Sequence, residues 1–271
     1  QEGALWLRSS LYGDDKDRVV IRDNGVPTYL AADIAYHLNK FNRGFDKLIN
    51  IWGADHHGYI VRVKASVEAL GYNPDNLEIL ILQMVSLFQD GQLIKMSKRT
   101  GQGVNLNELI EEVGKDAARF FFIMRSIDSQ LDFDLNLAKS RTNENPVYYI
   151  QYAHARISSI FRQCIEADID VPRDWTNIDF SLLTEEIELD LMKKISQFKE
   201  EIQFAADERA PHRIARYVHE LASLFHSFYN QLRIINAEIL VQQARLGLIT
   251  AVQMIIKKNL DILGIEAPDR M

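Results

Sequence analysis

The spacing of apolar residues changes near residue 140, and this change constrains the fold more than any other feature of the chain. Before it, short strand-like runs alternate with helical ones, as an α/β sheet requires. After Asn145 and Pro146, which are typical of a helix N-cap and first turn, the pattern is helical throughout. The sequence therefore predicts an α/β domain over residues 1–140 and an all-α helical bundle over residues 141–271. The predicted bundle helices span residues 146–167, 184–206, 211–235 and 238–263, and a polar linker spans residues 128–145.

A cluster of cations follows a predicted β-hairpin. Asp90-Gly91 lies between two strand-like runs, residues 84–89 and 92–95, and an Asp-Gly pair in this position is a strong hairpin signal. The next residues, Lys95-Met96-Ser97-Lys98-Arg99, carry three cations beside a hydroxyl. Fixed cations of this kind could neutralise the charge that builds up on a departing pyrophosphate. The alternative is a basic loop that is simply solvated.

Polar residues follow a predicted buried strand. The apolar run over residues 48–53 ends in Gly53, and Asp55, His56 and His57 come directly after it. An amphipathic segment follows, so this order predicts a parallel strand, a tight turn and a crossover helix. Ligands of doubly wound sheets bind at the carboxyl ends of strands, and Gly53 leaves room for a nucleotide. The alternatives are a helix cap or, with less support, a metal-binding histidine pair.

Residues 28–40 have helical periodicity, with Thr28 as the predicted N-cap. Tyr29, Asp33 and His37 follow one another at intervals of four residues, so they are expected on one face of this helix. A carboxylate beside the sheet is a natural partner for a guanidinium, because the two can form parallel charge-assisted hydrogen bonds. The alternative is an amphipathic helix whose polar face is only hydrated.

These motifs resemble those of class I aminoacyl-tRNA synthetases, and of the arginyl-tRNA synthetase family in particular. Residues 95–99 resemble the KMSKS signature, and residues 48–58 resemble the strand end that contacts ribose and adenine. Residues 28–40 resemble the arginine-binding helix of the family. Residues 115–120 resemble its DALR-type signature, and residues 263–271 match its carboxyl end. The resemblance implies the second half of a Rossmann-like catalytic domain followed by a helical anticodon-binding domain.

The resemblance also implies an activity. A complete enzyme of this kind would use ATP with Mg²⁺ to convert L-arginine into arginyl-adenylate, and would then transfer the arginyl group to tRNA(Arg). Lys95 and Lys98 would be catalytic, and Tyr29 and Asp33 would bind the guanidinium of arginine. His37 is our own addition to the arginine site. The implied ATP-binding residues are Gly53, Asp55, His56, His57, Met96 and Ser97.

Tyrosines at the start of the first bundle helix offer ring faces on which anticodon bases could stack. The resemblance implies that Tyr149 and Ala153 form part of the platform for the anticodon loop, which Tyr229 and Met271 complete. The alternative for Tyr148 and Tyr152 is that they line the bundle core with their hydroxyls at its rim. The remaining bundle histidines, His154, His212, His219 and His226, are expected at the surface or rim.

Composition excludes some classes of site. Cys164 is the only cysteine, which excludes an intrachain disulfide and a thiolate zinc site, so we expect neither zinc nor another resident metal. The net charge of −7 does not help a nucleic-acid binder, although it favours attraction of a cationic amino acid. No run of about eighteen apolar residues is present, so no membrane span is expected. We expect a cytoplasmic monomer.

One expected motif is missing. Class I synthetases carry a HIGH-type motif early in the nucleotide-binding fold, and this chain has no such string. We therefore expect a carboxyl-terminal fragment that is inactive alone. One alternative is a non-catalytic tRNA- or protein-binding module derived from a synthetase, which would not need the basic loop at residues 95–99. A second is a relative of cysteinyl-tRNA synthetase, which Cys164 alone does not support because that enzyme selects its substrate at a thiolate-rich zinc site.

Overall fold

The computed structural model describes residues 3–94, 105–172 and 174–271 of the chain. The described residues fall into two compact units. One lies within residues 1–84 and 127–130, and the other within residues 85–126 and 131–271. The predicted boundary near residue 140 lies inside the second unit, and the division into domains at that residue stays a prediction.

The first unit is built around two parallel strands joined by a crossover helix, as the sequence predicts. Strand β3, Leu48–Gly53, and strand β4, Leu77–Leu82, pair in parallel register from Leu48 opposite Leu77 to Gly53 opposite Leu82. Their shared core contains Phe41, Val63 and Val67 beside the first residues of both strands. The elements of this unit are β1 Leu5–Leu7, β2 Arg18–Ile21, α1 Tyr29–Asn42, β3 Leu48–Gly53, α2 Ile60–Ala69 and β4 Leu77–Leu82.

The second unit opens with the predicted hairpin. Strand β5, Val85–Gln89, pairs antiparallel with β6, Gln92–Leu93. Asp90 and Gly91 both have positive φ angles, 52° and 72°, as a tight two-residue hairpin turn requires. The Asn136 side chain donates a hydrogen bond to Asp90 Oδ1 at 2.7 Å, which fixes the turn against a later part of the chain.

The predicted linker over residues 128–145 is wrong in one respect, because it contains regular structure. Strand β7, Leu131–Asp134, pairs in parallel with β5, and the short helix α5, Leu135–Lys139, follows it. Phe133 is completely buried in the resulting core, so this strand is a structural part of the unit. Two further helices, α3 Leu106–Val113 and α4 Lys115–Ile123, precede β7.

The helical bundle forms as predicted, with one correction. The Asn145 side chain caps the first bundle helix by accepting hydrogen bonds from two backbone N–H groups. The segment 184–206 forms two helices rather than one. The hydroxyls of Ser196 and Tyr217 donate hydrogen bonds to the carbonyls of Lys193 and Lys194, so these carbonyls need no further helical partner. The bundle helices are α6 Pro146–Glu166, α7 Glu186–Ser196, α8 Phe198–Asp207, α9 Pro211–Gln231 and α10 Ile239–Leu263.

Helix α10 is the one helix of the described chain that is long and apolar enough to cross a membrane by length and composition. Half of its most apolar window is buried inside the structure. It packs against α6, α7 and α9, which is the position of a core helix in a folded domain. Its apolar character therefore has a structural explanation within the bundle.

Candidate functional site

The carboxylate of Asp33 lies on α1, within the first unit, and is held in place by a tyrosine. The Tyr59 hydroxyl donates a hydrogen bond to Asp33 Oδ2 at 2.7 Å. Burial and the Asp33 carboxylate both raise the pKa of Tyr59, so its hydroxyl stays protonated and donates. Asp33 Oδ1 accepts no hydrogen bond from the described residues. The site therefore presents one carboxylate oxygen that Tyr59 holds and one that has no hydrogen-bond partner among the described residues.

Tyr29 lies one helical turn before Asp33 and is 91% exposed. Its ring stands at the surface of α1, and Asp33 itself is half-buried. Sequence reasoning did not include Tyr59 in this group, since Tyr59 lies 26 residues after Asp33. The signal that could have found it is its position at the end of the turn that follows β3, because ligand-binding residues gather at the carboxyl ends of such strands.

The structure corrects the expected position of His37. This residue is buried, and both of its ring nitrogens are occupied. Nδ1 lies 2.7 Å from the Asp33 carbonyl oxygen, and Nε2 lies 2.8 Å from the Asn50 side-chain nitrogen. Each step of four residues turns a helix by about 40°, so His37 has rotated away from Tyr29 towards β3. His37 supports the helix beneath Asp33 and offers no free nitrogen to a ligand.

The polar residues after β3 are exposed at the strand end, as predicted. Asp55, His56 and His57 lie on a 3₁₀ turn, Ala54–Tyr59, between β3 and α2. The local structure gives a second reason for a glycine at position 53, besides the space that it was predicted to leave for a nucleotide. A Cβ atom at Gly53 would lie 2.8 Å from Asp55 Oδ1, so a larger residue would displace that carboxylate. The assignment of these residues to ATP stays a prediction.

The four predicted residues of the basic loop, Lys95, Met96, Ser97 and Lys98, lie outside the described residues. The hairpin that precedes them is described up to Ile94, and the chain is described again from Asn105. Asn105 caps α3 in a capping box with Glu108.

Aromatic rings and one guanidinium form a continuous surface on α6 and α9, within the second unit. Tyr148 and Tyr152 stack with their planes 14° apart. The Arg156 guanidinium lies over the ring of Tyr152 at 4.5 Å and over the ring of Tyr229 at 4.7 Å. The ring of Tyr149 lies 4.4 Å from that of His226. The structure thus brings Tyr149 and Tyr229 to one region of the bundle, and Arg156 joins the rings of Tyr152 and Tyr229.

Next to this surface is a cavity of about 420 Å³ with a cationic lining. Arg156, Arg162 and Arg270 line it together with Tyr229 and Met271, and none of its described lining residues is acidic. Tyr229 and Met271 are 38% and 52% exposed, so both are accessible here. Sequence reasoning missed Arg156, although its place one turn after Tyr152 and two turns after Tyr149 sets it on the same helix face.

Three bundle residues are buried where exposure was expected. Ala153 is completely buried, so its side chain offers no surface to a nucleic acid, and its place in the platform for the anticodon loop stays a prediction. It lies one position from Tyr152, on the face of α6 that packs into the core. His154 and His226 are also buried rather than at the rim. His154 Nδ1 lies 2.9 Å from the Pro268 carbonyl oxygen, and His226 contacts Arg156 and Tyr149.

The sequence matches two family models that follow each other along the chain. Residues 1–130 match the catalytic domain of class I (R) tRNA synthetases, and residues 150–271 match the DALR anticodon binding domain. A protein of Desulforamulus reducens named arginine–tRNA ligase is 56% identical over 271 residues, which is all of this chain. The chain belongs to the arginyl-tRNA synthetase family.

The chain spans about half the length of the curated relatives of the arginyl-tRNA synthetase family that it matches, 48% in the case of the Desulforamulus protein. A solved structure from Campylobacter jejuni superposes with a TM-score of 0.91 and 41% identity, and the match covers all of this chain and 58% of that one. Arginyl-tRNA synthetase from Thermus thermophilus has a TM-score of 0.78 at 23% identity, over 99% of this chain and 54% of that one, and this likeness shows the fold.

Membership of the arginyl-tRNA synthetase family confirms the predicted fold class. The chain contains part of a class I catalytic domain followed by a helical DALR-type domain. The same match removes the cysteinyl-tRNA synthetase alternative.

Proposed function

We propose that this chain is the carboxyl-terminal part of an arginine–tRNA ligase. The complete enzyme would activate L-arginine with ATP to form arginyl-adenylate and would transfer the arginyl group to tRNA(Arg). The observation that carries the proposal is the Asp33 carboxylate, which Tyr59 holds by one oxygen while the other faces no described partner. This arrangement lies on the helix that resembles the arginine-binding helix of the family.

Arginine would bind with its guanidinium on Asp33 and against the exposed ring of Tyr29. A planar guanidinium presents a fork of N–H donors that matches a carboxylate, whereas the ammonium of lysine is a point charge. Because Tyr59 occupies Asp33 Oδ2, the free Oδ1 accepts the substrate donors most directly. Citrulline has the shape of arginine without its charge, so its rejection would rest on the Asp33 carboxylate.

ATP would bind across the strand end, with its nucleoside near Gly53, Asp55, His56 and His57 and its phosphates near Met96 and Ser97. The arginine carboxylate attacks the α-phosphorus, a new P–O bond forms, and the bond to the β-phosphate oxygen breaks to release pyrophosphate. Lys95 and Lys98 stabilise the negative charge of the leaving group, and we expect the loss of Lys98 to reduce the rate most.

Mg²⁺ accompanies the triphosphate as part of the substrate, and it offsets negative charge there. Within residues 3–94, 105–172 and 174–271, no group of three or more His, Cys, Asp or Glu side chains is suited to hold a metal ion. We therefore assign no protein ligand to Mg²⁺. We further propose that the protein works as a monomer in the cytoplasm, where translation consumes charged tRNA.

The decisive experiment is Asp33→Asn in the complete protein, with arginine-dependent ATP–pyrophosphate exchange measured in the presence of tRNA. We expect the KM for arginine to rise about a hundredfold or more, with the KM for ATP nearly unchanged, because only the guanidinium loses a charged partner. Discrimination against citrulline should fall in the same variant. Asp46→Asn, an exposed change just after α1, is the matched control.

Unchanged arginine kinetics in Asp33→Asn would remove this residue from the substrate site. The chain of 271 residues by itself should show no turnover, because it lacks the HIGH-type motif. Adenylate formation by the purified chain, abolished by Asp33→Asn, would overturn that part of the proposal.

A further inference from the structure

His226 is buried on α9 and contacts two groups of α6 with its two ring nitrogens. Nδ1 lies 3.1 Å from Arg156 Nη1, and Nε2 lies 3.2 Å from the Tyr149 carbonyl oxygen. A guanidinium can only donate and a carbonyl can only accept, so the two partners determine the tautomer. Nδ1 accepts from Arg156 and Nε2–H donates to Tyr149, which requires a neutral imidazole.

Arg156 is held on several sides by this group of residues. Its Nη2 donates a hydrogen bond to the Tyr152 hydroxyl at 3.0 Å, and its guanidinium lies between the rings of Tyr152 and Tyr229. No carboxylate of the described chain pairs with it. The charge of Arg156 is therefore positioned but not neutralised, and it borders the 420 Å³ cavity.

The side chains that line this cavity are of the kinds that bind nucleotides. Guanidinium groups bind phosphate through paired hydrogen bonds and stack on base planes, and exposed aromatic rings stack on unpaired bases. Arg156, Arg162 and Arg270 supply the first kind of contact, and Tyr229 supplies the second. His226 lies behind Arg156 and does not line the cavity, so any effect it has on a bound nucleotide must pass through Arg156.

We propose that neutral His226 is a positioning residue that orients Arg156 for RNA binding at the surface formed by Tyr152, Arg156 and Tyr229. This inference rests on the proposed function, since it assumes that the bundle meets the anticodon loop. A protonated imidazole carries N–H groups on both nitrogens, so it would direct a donor and a positive charge at the guanidinium. Acidification then releases Arg156 from its place between the two rings.

The surroundings of His226 support a neutral ring. Burial is the largest effect and lowers the pKa of His226, Arg156 lowers it further, and the hydrogen bond to Tyr149 opposes them. The rings of Tyr149 and Tyr152 face that of His226 from α6, and the ring of His219 lies 5.5 Å from that of Tyr149. Helices α4, α7, α8 and α10 also pack against α9, and the charge named as lowering the pKa of His226 is that of Arg156 on α6.

The test uses the whole 271-residue chain and two synthetic RNA hairpins, one with the anticodon loop of an arginine tRNA and one with the anticodon changed. Three variants are compared with the wild type at fixed low salt. His226→Phe keeps a ring but loses the acceptor, His226→Asn keeps an acceptor in place of Nδ1 and does not titrate, and His212→Asn is the control on the same helix. Thermal unfolding of each variant first confirms that it is folded.

Near neutral pH, we expect His226→Phe to bind the native hairpin about tenfold more weakly, while His226→Asn and His212→Asn bind like the wild type. As the pH falls through the lowered pKa of His226, which lies below the ordinary histidine value of about 6.5, wild-type binding should weaken and His226→Asn binding should not. General electrostatics predicts the opposite trend, because protonated histidines attract phosphates. Nitrogen NMR of the imidazole in the free chain should show Nε2–H at neutral pH.

Other outcomes of the binding, pH and NMR measurements would overturn one or both proposals. Wild-type affinity from His226→Phe, the same pH profile in His226→Asn, or an Nδ1-protonated ring overturns the role of His226. If the wild type binds both hairpins equally and His226→Phe weakens both to the same extent, the role of His226 is supported and anticodon reading by this chain is overturned. Binding of neither hairpin by the folded wild type overturns both proposals.

Discussion

Removal of Arg245 should destabilise the bundle strongly, because it would leave the Glu188 carboxylate buried without its cation. Arg245 Nε donates to Glu188 Oε1 at 2.7 Å, and Arg245 Nη1 donates to the Arg233 carbonyl at 2.7 Å. The two charged side chains are 12% and 1% exposed. The second Glu188 oxygen accepts from the Glu185 N–H at the start of α7, so the carboxylate cannot turn away without uncapping that helix.

Arg245→Met keeps the apolar stem of the side chain and removes its charge. Loss of one partner of a buried ion pair costs about 3–5 kcal/mol of unfolding free energy. With a slope of about 3 kcal/mol per molar urea, the midpoint of unfolding should fall by roughly 1–2 M. Far-UV circular dichroism in urea measures this, since most helices lie in this unit.

Two companion variants separate charge burial from general damage. Glu188→Gln should cost less, about 1–3 kcal/mol, because a neutral amide tolerates burial and can still accept one hydrogen bond. Adding Glu188→Gln to Arg245→Met should restore part of the lost stability, since no isolated charge remains. Arg216→Met is the exposed control, with a side chain 81% exposed, and should change the midpoint little. If Arg245→Met loses no more unfolding free energy than Arg216→Met, the reasoning about the buried ion pair is refuted.

Three further predictions concern the first unit and the bundle core. Tyr59→Phe in the complete protein should raise the KM for arginine about tenfold or more in pyrophosphate exchange, because Asp33 loses its 2.7 Å donor. Gly247→Ala should lower the free energy of unfolding by about 1–3 kcal/mol in urea titration, because its Cβ would lie 2.8 Å from Phe180. Burial lowers the pKa of His37, so unfolding free energy should decrease as pH falls below about 6.5, where only the unfolded state gains the proton.

Each of these predictions has a contradicting result. A change in the KM for ATP equal to that for arginine in Tyr59→Phe would show general distortion of the unit. Full stability of Gly247→Ala would mean that the ring of Phe180 moves aside at no cost. An identical pH slope in His37→Gln, which cannot titrate, would assign the acid sensitivity to other groups.

Much of the local structure was readable from the sequence. Asp90-Gly91 predicts the hairpin turn because both positions need positive φ, and Asn145 predicts a helix start because its side chain caps backbone N–H groups one turn away. The buried run at residues 48–53 predicts β3, and the chain reaches its parallel partner β4 through α2. Each of these signals depends on neighbours within a few residues, so one sequence suffices to read them.

The amino-acid sequence is sufficient to identify the family, the change from an α/β to an all-α pattern and the residue types available to a site. Tertiary structure alone decided which of those residues face a ligand and which support others. His37 and Ala153 are buried, Tyr59 reaches Asp33 across 26 residues, and His226 reaches Arg156 across 70. The physical reason is that burial and pairing depend on which surfaces pack together, and helical periodicity constrains only the face on which a side chain starts.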